Sequence, residues 1–268
     1  MTYLVYDIET EPSRARITKA DTRPGESIDQ AFDRIEKAAC KPDQIQSEGQ
    51  CFIPARYHVP RVIGLLAVDQ SGRYINSAVL SHATDWASLT RQFWDIYTQL
   101  NSPCLVSFSG NQFDNVVMGT AALELGLRLP NWFLPLGTPI FKDPRSFNQA
   151  NERTFDLRAW MGGNTVGGSL DFWSRLVGLP GKGDVHGDSV KSMLEANKIE
   201  ALADYCASDV ANTYGVLRAF LACSGSIQEP ALGPTYLDTI QRFLGGRGGD
   251  AKRYLDSTLN NQLAAGVF

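Results

Sequence analysis

A mixed α/β sheet with helices packed on it is the fold class that this sequence predicts, on three observations. Three apolar runs come early, and two of them are joined by a short turn. Strand-like and helix-like segments then alternate through the middle of the chain, with no internal repeat. Finally, 268 residues with 43% hydrophobic and 20% charged side chains can build one sizeable core, which excludes disorder as a description of the whole chain.

Residues 3–7 form a short apolar run that ends in carboxylates, as a buried central strand does. Residues 11–55 are polar and carry Pro12, Pro24, Pro42 and Pro54, with helical spacing over 28–35. They read as an excursion from the core. Residues 62–68 are a second strand, 70–73 its turn and 74–80 the returning third strand. Asp85 can cap a helix over 86–99 whose apolar stripe is Leu89, Phe93, Ile96, Tyr97 and Leu100. A fourth strand at 104–108 leads through a glycine turn into a helix over 113–125. Residues 128–153, rich in Pro, Asn and aromatics, read as a surface excursion, and 153–157 as a last short strand. Helices are expected at 170–176 (ending at Gly178), 189–196 and 199–221, and an amphipathic stretch at 236–244. A glycine cluster around Arg247 then reads as a linker into a polar tail.

The formal net charge of −4 argues against a protein that coats nucleic acid by bulk electrostatics, but it does not exclude an enzyme that grips only a strand end. The start of the chain has no basic, apolar pattern of a signal peptide, and no run reaches the ~18 apolar residues of a membrane span. The five cysteines form no close-spaced metal pairs, and Cys104 and Cys206 fall inside apolar patterns as reduced core residues. The expected compartment is cytoplasmic.

The chemistry is concentrated in Asp7-Ile8-Glu9-Thr10, Phe113-Asp114, and Tyr205 with Asp209. Asp7 and Glu9 are two apart on a strand and share a face, while Ile8 points to the opposite one. Tyr205 and Asp209 are four apart on a helix, at the edge of an apolar arc built by Leu202, Cys206, Val210, Thr213, Leu217 and Leu221. Asp114 falls at a helix start, where a plain capping role is equally natural. Taken singly, each word has such a bland reading: an exposed strand end, a cap, a solvated Asp beside a half-buried Tyr. Brought together, four carboxylates would repel one another unless a cation sat between them. An oxygen-only ligand set selects Mg²⁺ or Mn²⁺, and the chemistry is that of a two-metal phosphodiester hydrolase.

In this order the words resemble the DEDD-type 3′–5′ exonucleases of the RNase H-like superfamily. Tyr205-Cys206-Ala207-Ser208-Asp209 matches the Y-x(3)-D third motif of the tyrosine subclass. Ile53-Pro54, Tyr57-His58, Leu179-Pro180-Gly181-Lys182 and the run from Asp209 to Tyr214 narrow the resemblance to predicted exonucleases related to the proofreading domain of family B DNA polymerases, over about residues 3–222. One departure is that Gly110 and Ser109 stand where that family often has Asn. The resemblance implies an RNase H-like mixed β-sheet flanked by helices. It divides the chain into an exonuclease domain at 1–222 and a helical extension and tail at 223–268. It also implies two divalent cations held by Asp7, Glu9, Asp114 and Asp209, and Tyr205 orienting the attacking water. Ile8, Thr10 and Phe113 would contact the terminal nucleotide. The implied partner is a nucleic-acid 3′ end, DNA ahead of RNA, and the product a 5′-mononucleotide.

Two rival readings stand beside this one. Asp7-Ile8-Glu9-Thr10 is also similar to the D-x-D-x-T of haloacid dehalogenase-type phosphatases, but Glu9 fits poorly where those enzymes need Asp. A non-catalytic nucleic-acid-binding domain on the same fold would have no use for negative charge concentrated beside phosphates. His58, His82 and His186 are isolated and read as structural or surface residues. Lys182 and His186 could reach a phosphate, though 181–187 reads as a plain flexible loop. Asp156 either helps arrange the site or is a buried, hydrogen-bonded carboxylate.

Overall fold

A computed structural model describes residues 2–39, 53–81, 85–129, 132, 154–162, 167–183 and 189–264. Cys40, Cys51, His82, Arg153 and His186 lie outside them. Among the described residues five strands form one mixed sheet: β1 (Thr2–Pro12), β2 (His58–Asp69), β3 (Tyr74–Leu80), β4 (Cys104–Ser107) and β5 (Thr154–Asp156). The order is β3-β2-β1-β4-β5, so β1 is central; it runs antiparallel to β2 and parallel to β4. Helices α1 (Ile28–Ala39), α2 (Trp86–Gln99), α3 (Asp114–Glu124), α4 (Leu157–Trp160), α5 (Leu170–Leu176), α6 (Ser189–Glu195), α7 (Ile199–Cys223), α8 (Pro234–Leu244) and α9 (Gly249–Ala264) complete the described chain. This is the expected α/β class, a mixed sheet flanked by helices. Among the described residues no helix is long and apolar enough to cross a membrane.

The period of two along β1 sorts its side chains between two cores. Leu4, Tyr6 and Ile8 enter a layer with Leu89, Phe93, Trp94 and Tyr97 of α2 and Val117 and Met118 of α3. Val5 faces the other way, into a layer with Val210, Tyr214 and Leu217 of α7 and with Tyr236, Ile240, Ala251 and Tyr254 of α8 and α9. Asp7 and Glu9 continue the Val5 side, toward α7. Asp85 caps α2 as expected, accepting from the Ala87 and Ser88 amides at 3.0 and 3.2 Å.

The structure corrects the sequence reading in three places. The first two strands are longer than 3–7 and 62–68, because polar residues at their ends still pair: Thr10, Glu11 and Pro12 lie opposite Pro60, Val59 and His58. The polar tail is the helix α9, with Ala251, Tyr254 and Thr258 buried on one stripe. The glycine cluster is the tight turn into that helix, where Gly246 adopts φ +83° and Arg247 lies 3.6 Å from Asp204. In the polar excursion α1 packs Ala31 and Phe32 on Ile17, Ile53 and Tyr57, a small core of its own.

Candidate metal and nuclease site

Three elements bring the four acids close enough for their charges to act on one another, and of the four Asp7 and Glu9 meet within 4.8 Å. β1 supplies Asp7 and Glu9, the start of α3 supplies Asp114, and α7 supplies Asp209 with Tyr205 one turn before it. Glu9, Asp114 and Asp209 are buried (8, 6 and 3% exposed), so their charges are not left to water. Asp114 is the first residue of α3, and its carboxylate accepts from its own amide and from the Ile8 N–H, which ties the helix start to the strand. Approach of α7 to the sheet is set by Gly64, opposite Asp7 on β2: a Cβ there would lie 2.8 Å from Val210 Cγ2 and 3.2 Å from Cys206 Sγ. Cys206 donates to the Asp7 carbonyl at 3.4 Å, and its sulfur lies with oxygens of Asp7 and Glu9 inside a 4.8 Å cluster.

Burial, followed by mutual repulsion, raises the Asp7, Glu9 and Asp114 carboxyls above the ordinary carboxylate range, Asp114 to about 7. Burial also raises Asp209, although a cation opposes the shift. That cation is Lys182. Its Nζ donates to Asp209 Oδ2 at 2.5 Å and to the Tyr205 hydroxyl at 2.9 Å, and it lies 5.1 Å from the centre of the Tyr205 ring. Tyr205 in turn hydrogen-bonds to Asp209, and burial with the surrounding carboxylates pushes its phenol far up, so it stays protonated. The other Asp209 oxygen, Oδ1, is buried without a hydrogen-bond partner, an acceptor left for a further ligand. The carboxylates with such an orphaned oxygen fit a hard divalent cation, while the Cys206 thiol beside them, pushed well up by burial, keeps its proton.

Around this centre lies a cleft of about 430 Å³ whose walls include Phe108, Arg158, Leu170 and Asp171 as well as Asp7, Lys182 and Asp209. Asp156 is the buried, hydrogen-bonded carboxylate: it accepts from the Ser109, Asn111 and Ala159 amides at 3.0–3.1 Å and so clamps the loop before α3. It also bears on the site, because its charge helps to raise Asp114. Of the expected nucleotide contacts, Thr10 bonds to His58 Nδ1 at 2.8 Å, and the Phe113 ring stands edge-on to His58 with centroids 5.1 Å apart. The Ile8 side chain is in the α2–α3 core, and only its backbone turns to the site. His58 is structural: it is 5% exposed, and its Nε2 lies 3.1 Å from the Ile53 carbonyl.

Lys182 is the residue that sequence reasoning undervalued, by reading 181–187 as a flexible loop. The signal was its place before the third motif, within Leu179-Pro180-Gly181-Lys182. Nothing local to a loop reports which distant carboxylate a lysine will meet.

Compared with known families, residues 50–257 match a family model described as a predicted 3′–5′ exonuclease related to the exonuclease domain of PolB. The match begins after β1, so the place of Asp7 and Glu9 beside Asp209 rests on the geometry above. No curated protein matches the chain.

Proposed function

The chain belongs to the predicted 3′–5′ exonucleases related to the exonuclease domain of PolB, and from that membership we propose that it removes nucleotides from the 3′ end of DNA, at single-stranded or frayed ends, releasing 5′-mononucleotides with two bound Mg²⁺ or Mn²⁺ ions. The observation that carries this reading is the gathering of four mutually repelling carboxylates from β1, α3 and α7, of which Asp7 and Asp209 line a cleft, beside a protonated tyrosine. A binding module would place cations there; this site gathers anions, which is useful only where metal ions meet phosphate.

In this reading Asp7, Glu9, Asp114 and Asp209 hold the ions. When bound, these would supply Lewis-acid polarisation and neutralise charge on the attacking and leaving oxygens. The protein's own groups do the rest. Tyr205 keeps its proton and orients the attacking water through its hydroxyl, since a phenol pushed up by burial is no general base near neutrality. The Ile8 amide holds Asp114 in place, and the Asp156 clamp holds the loop before it. Thr10 and Phe113, braced on His58, face the terminal nucleotide, with Ile8 packed beneath them. The catalytic unit is residues 1–222, and the extension after it completes the core through α8 and α9. The free thiols of the buried Cys104 and Cys206 support a reducing, cytoplasmic setting.

The test is degradation of 5′-labelled single-stranded DNA and RNA with Mg²⁺, Mn²⁺ or EDTA. The expected outcome is a ladder shortening from the 3′ end, faster on DNA, abolished by chelation and reduced about 10²–10⁴-fold by Asp114→Ala. Full activity after exhaustive chelation, or in Asp114→Ala, would reject the reading.

A further inference from the structure

Lys182 sits on the same carboxylate, Asp209, that a metal ion would use. We propose that its side chain is the resident counter-cation of the carboxylate site, holding Asp209 and Tyr205 in place in the metal-free protein and giving up Asp209 when a divalent ion enters. The inference rests on the exonuclease reading for the metal itself, and on the following geometry for the lysine.

Ionised carboxylates buried without a partner cost several kcal/mol each, so a nearby positive charge is what lets this group of acids carry charge. Lys182 supplies it without metal. Its contact with Asp209 Oδ2 is a short, charge-assisted bond at 2.5 Å, only 22% of its side chain is exposed, and the charges of Asp7 and Glu9 act on it as well. The loop that carries it is held from both sides. The Lys182 amide donates to Asp171 Oδ1 at 2.7 Å, and Arg175 of α5 donates to the Lys182 carbonyl at 3.3 Å. From α9, Arg253 donates to the Gly181 carbonyl at 3.3 Å. Gly183 is closely covered: a Cβ would lie 2.4 Å from Asp250 Oδ1 and 2.7 Å from Arg253 Nε, so those side chains would have to shift. Such a clamp fixes the Lys182 backbone while its four-carbon stem leaves the ammonium free to turn away.

Ammonium and divalent ion repel each other when both sit on one carboxylate, so the two are linked: whatever Lys182 contributes to the metal-free protein is subtracted from metal affinity. Lys182 is then a positioning residue with opposite effects on two measurable quantities. A lysine that merely supported the fold would move both in the same direction.

The experiment is calorimetric titration with MnCl₂ alone, without nucleic acid, together with melting temperatures in EDTA and in Mn²⁺, on the full chain. Lys182→Met should bind Mn²⁺ roughly ten-fold more tightly or better, in the range of ordinary coupling between sites. In EDTA it should melt several degrees lower, and Mn²⁺ should raise its melting temperature more than that of the parent. Lys182→Gln should behave alike and serves if the Met variant does not fold; Lys182→Arg should restore the melting temperature in EDTA. Unchanged or weaker Mn²⁺ binding by both neutral variants would overturn the proposal while leaving the exonuclease reading intact. A parent protein that binds no Mn²⁺ would overturn both.

Discussion

Tyr205 is the residue on which the chemistry can be examined most sharply. Its ring is packed and its hydroxyl faces both Lys182 and Asp209. Tyr205→Phe keeps the packing and removes one polar group. The rate should fall ten- to a hundred-fold, the cost of a contact worth ~1.5–3 kcal/mol, while Mn²⁺-loaded stability scarcely moves. Steady-state rates on a labelled oligonucleotide, with melting curves, check this; a variant as fast as the parent makes Tyr205 a packing residue. His58 gives a test by pH. Burial lowers its pKa from 6.5 to about 4, so the unfolded chain takes up a proton that the folded one refuses. Its contribution is therefore present above pH 6.5 and is lost as pH falls towards 4, by about 3 kcal/mol at the low end. The stability advantage of the parent over His58→Gln should shrink across that window, as read by urea melts at pH 7, 6, 5 and 4. The placements tied to spacing could be read from sequence: Asp7 on one face with Glu9, and Tyr205 one turn from Asp209, follow from periods of two and four. Lys182 could not, because its partners are set by how two helices clamp a loop.

Among the elements, α7 was the clearest in sequence and α9 the most obscure. Residues 199–221 carry a long apolar pattern, and the helix found is Ile199–Cys223. Buried Ala251, Tyr254 and Thr258 also recur at helical spacing, yet charged and amide side chains between them make the segment read as a tail. What decided the matter was tertiary: Tyr254 meets Tyr236 of α8 hydroxyl to hydroxyl at 2.7 Å inside the core. How closely α7 lies on the sheet can be tested at Gly64. A methyl group there must displace Val210, a branched core side chain, so Gly64→Ala should cost ~1–3 kcal/mol. It should also weaken Mn²⁺ binding by drawing Asp209 away from Asp7. Gly119, inside α3, is the control: among the described residues its added Cβ would meet only Trp132 Nε1 at 3.8 Å, so Gly119→Ala should stabilise by ~0.5–1 kcal/mol. Denaturant midpoints of the two variants should move in opposite directions.

At the scale of the whole molecule, the class was legible because strands with hydrophobic runs alternate with helices of the right period. Strand order was not, since β1 pairs with β4 a hundred residues later and nothing local announces that partner. The central position of β1 bears on time as well as space. The first strand of the chain must wait for β4 and then for α7 before its two carboxylates have company, and the loop clamp needs α9 at the far end. Pairings of such long sequence separation form slowly, whereas helices form early. On dilution from denaturant, the helical circular-dichroism signal should therefore return ahead of Mn²⁺ binding, and nuclease activity should come no sooner than that binding. A half-folded chain of this protein is thus a harmless one, because the geometry that would cut a strand is the last thing that folding completes.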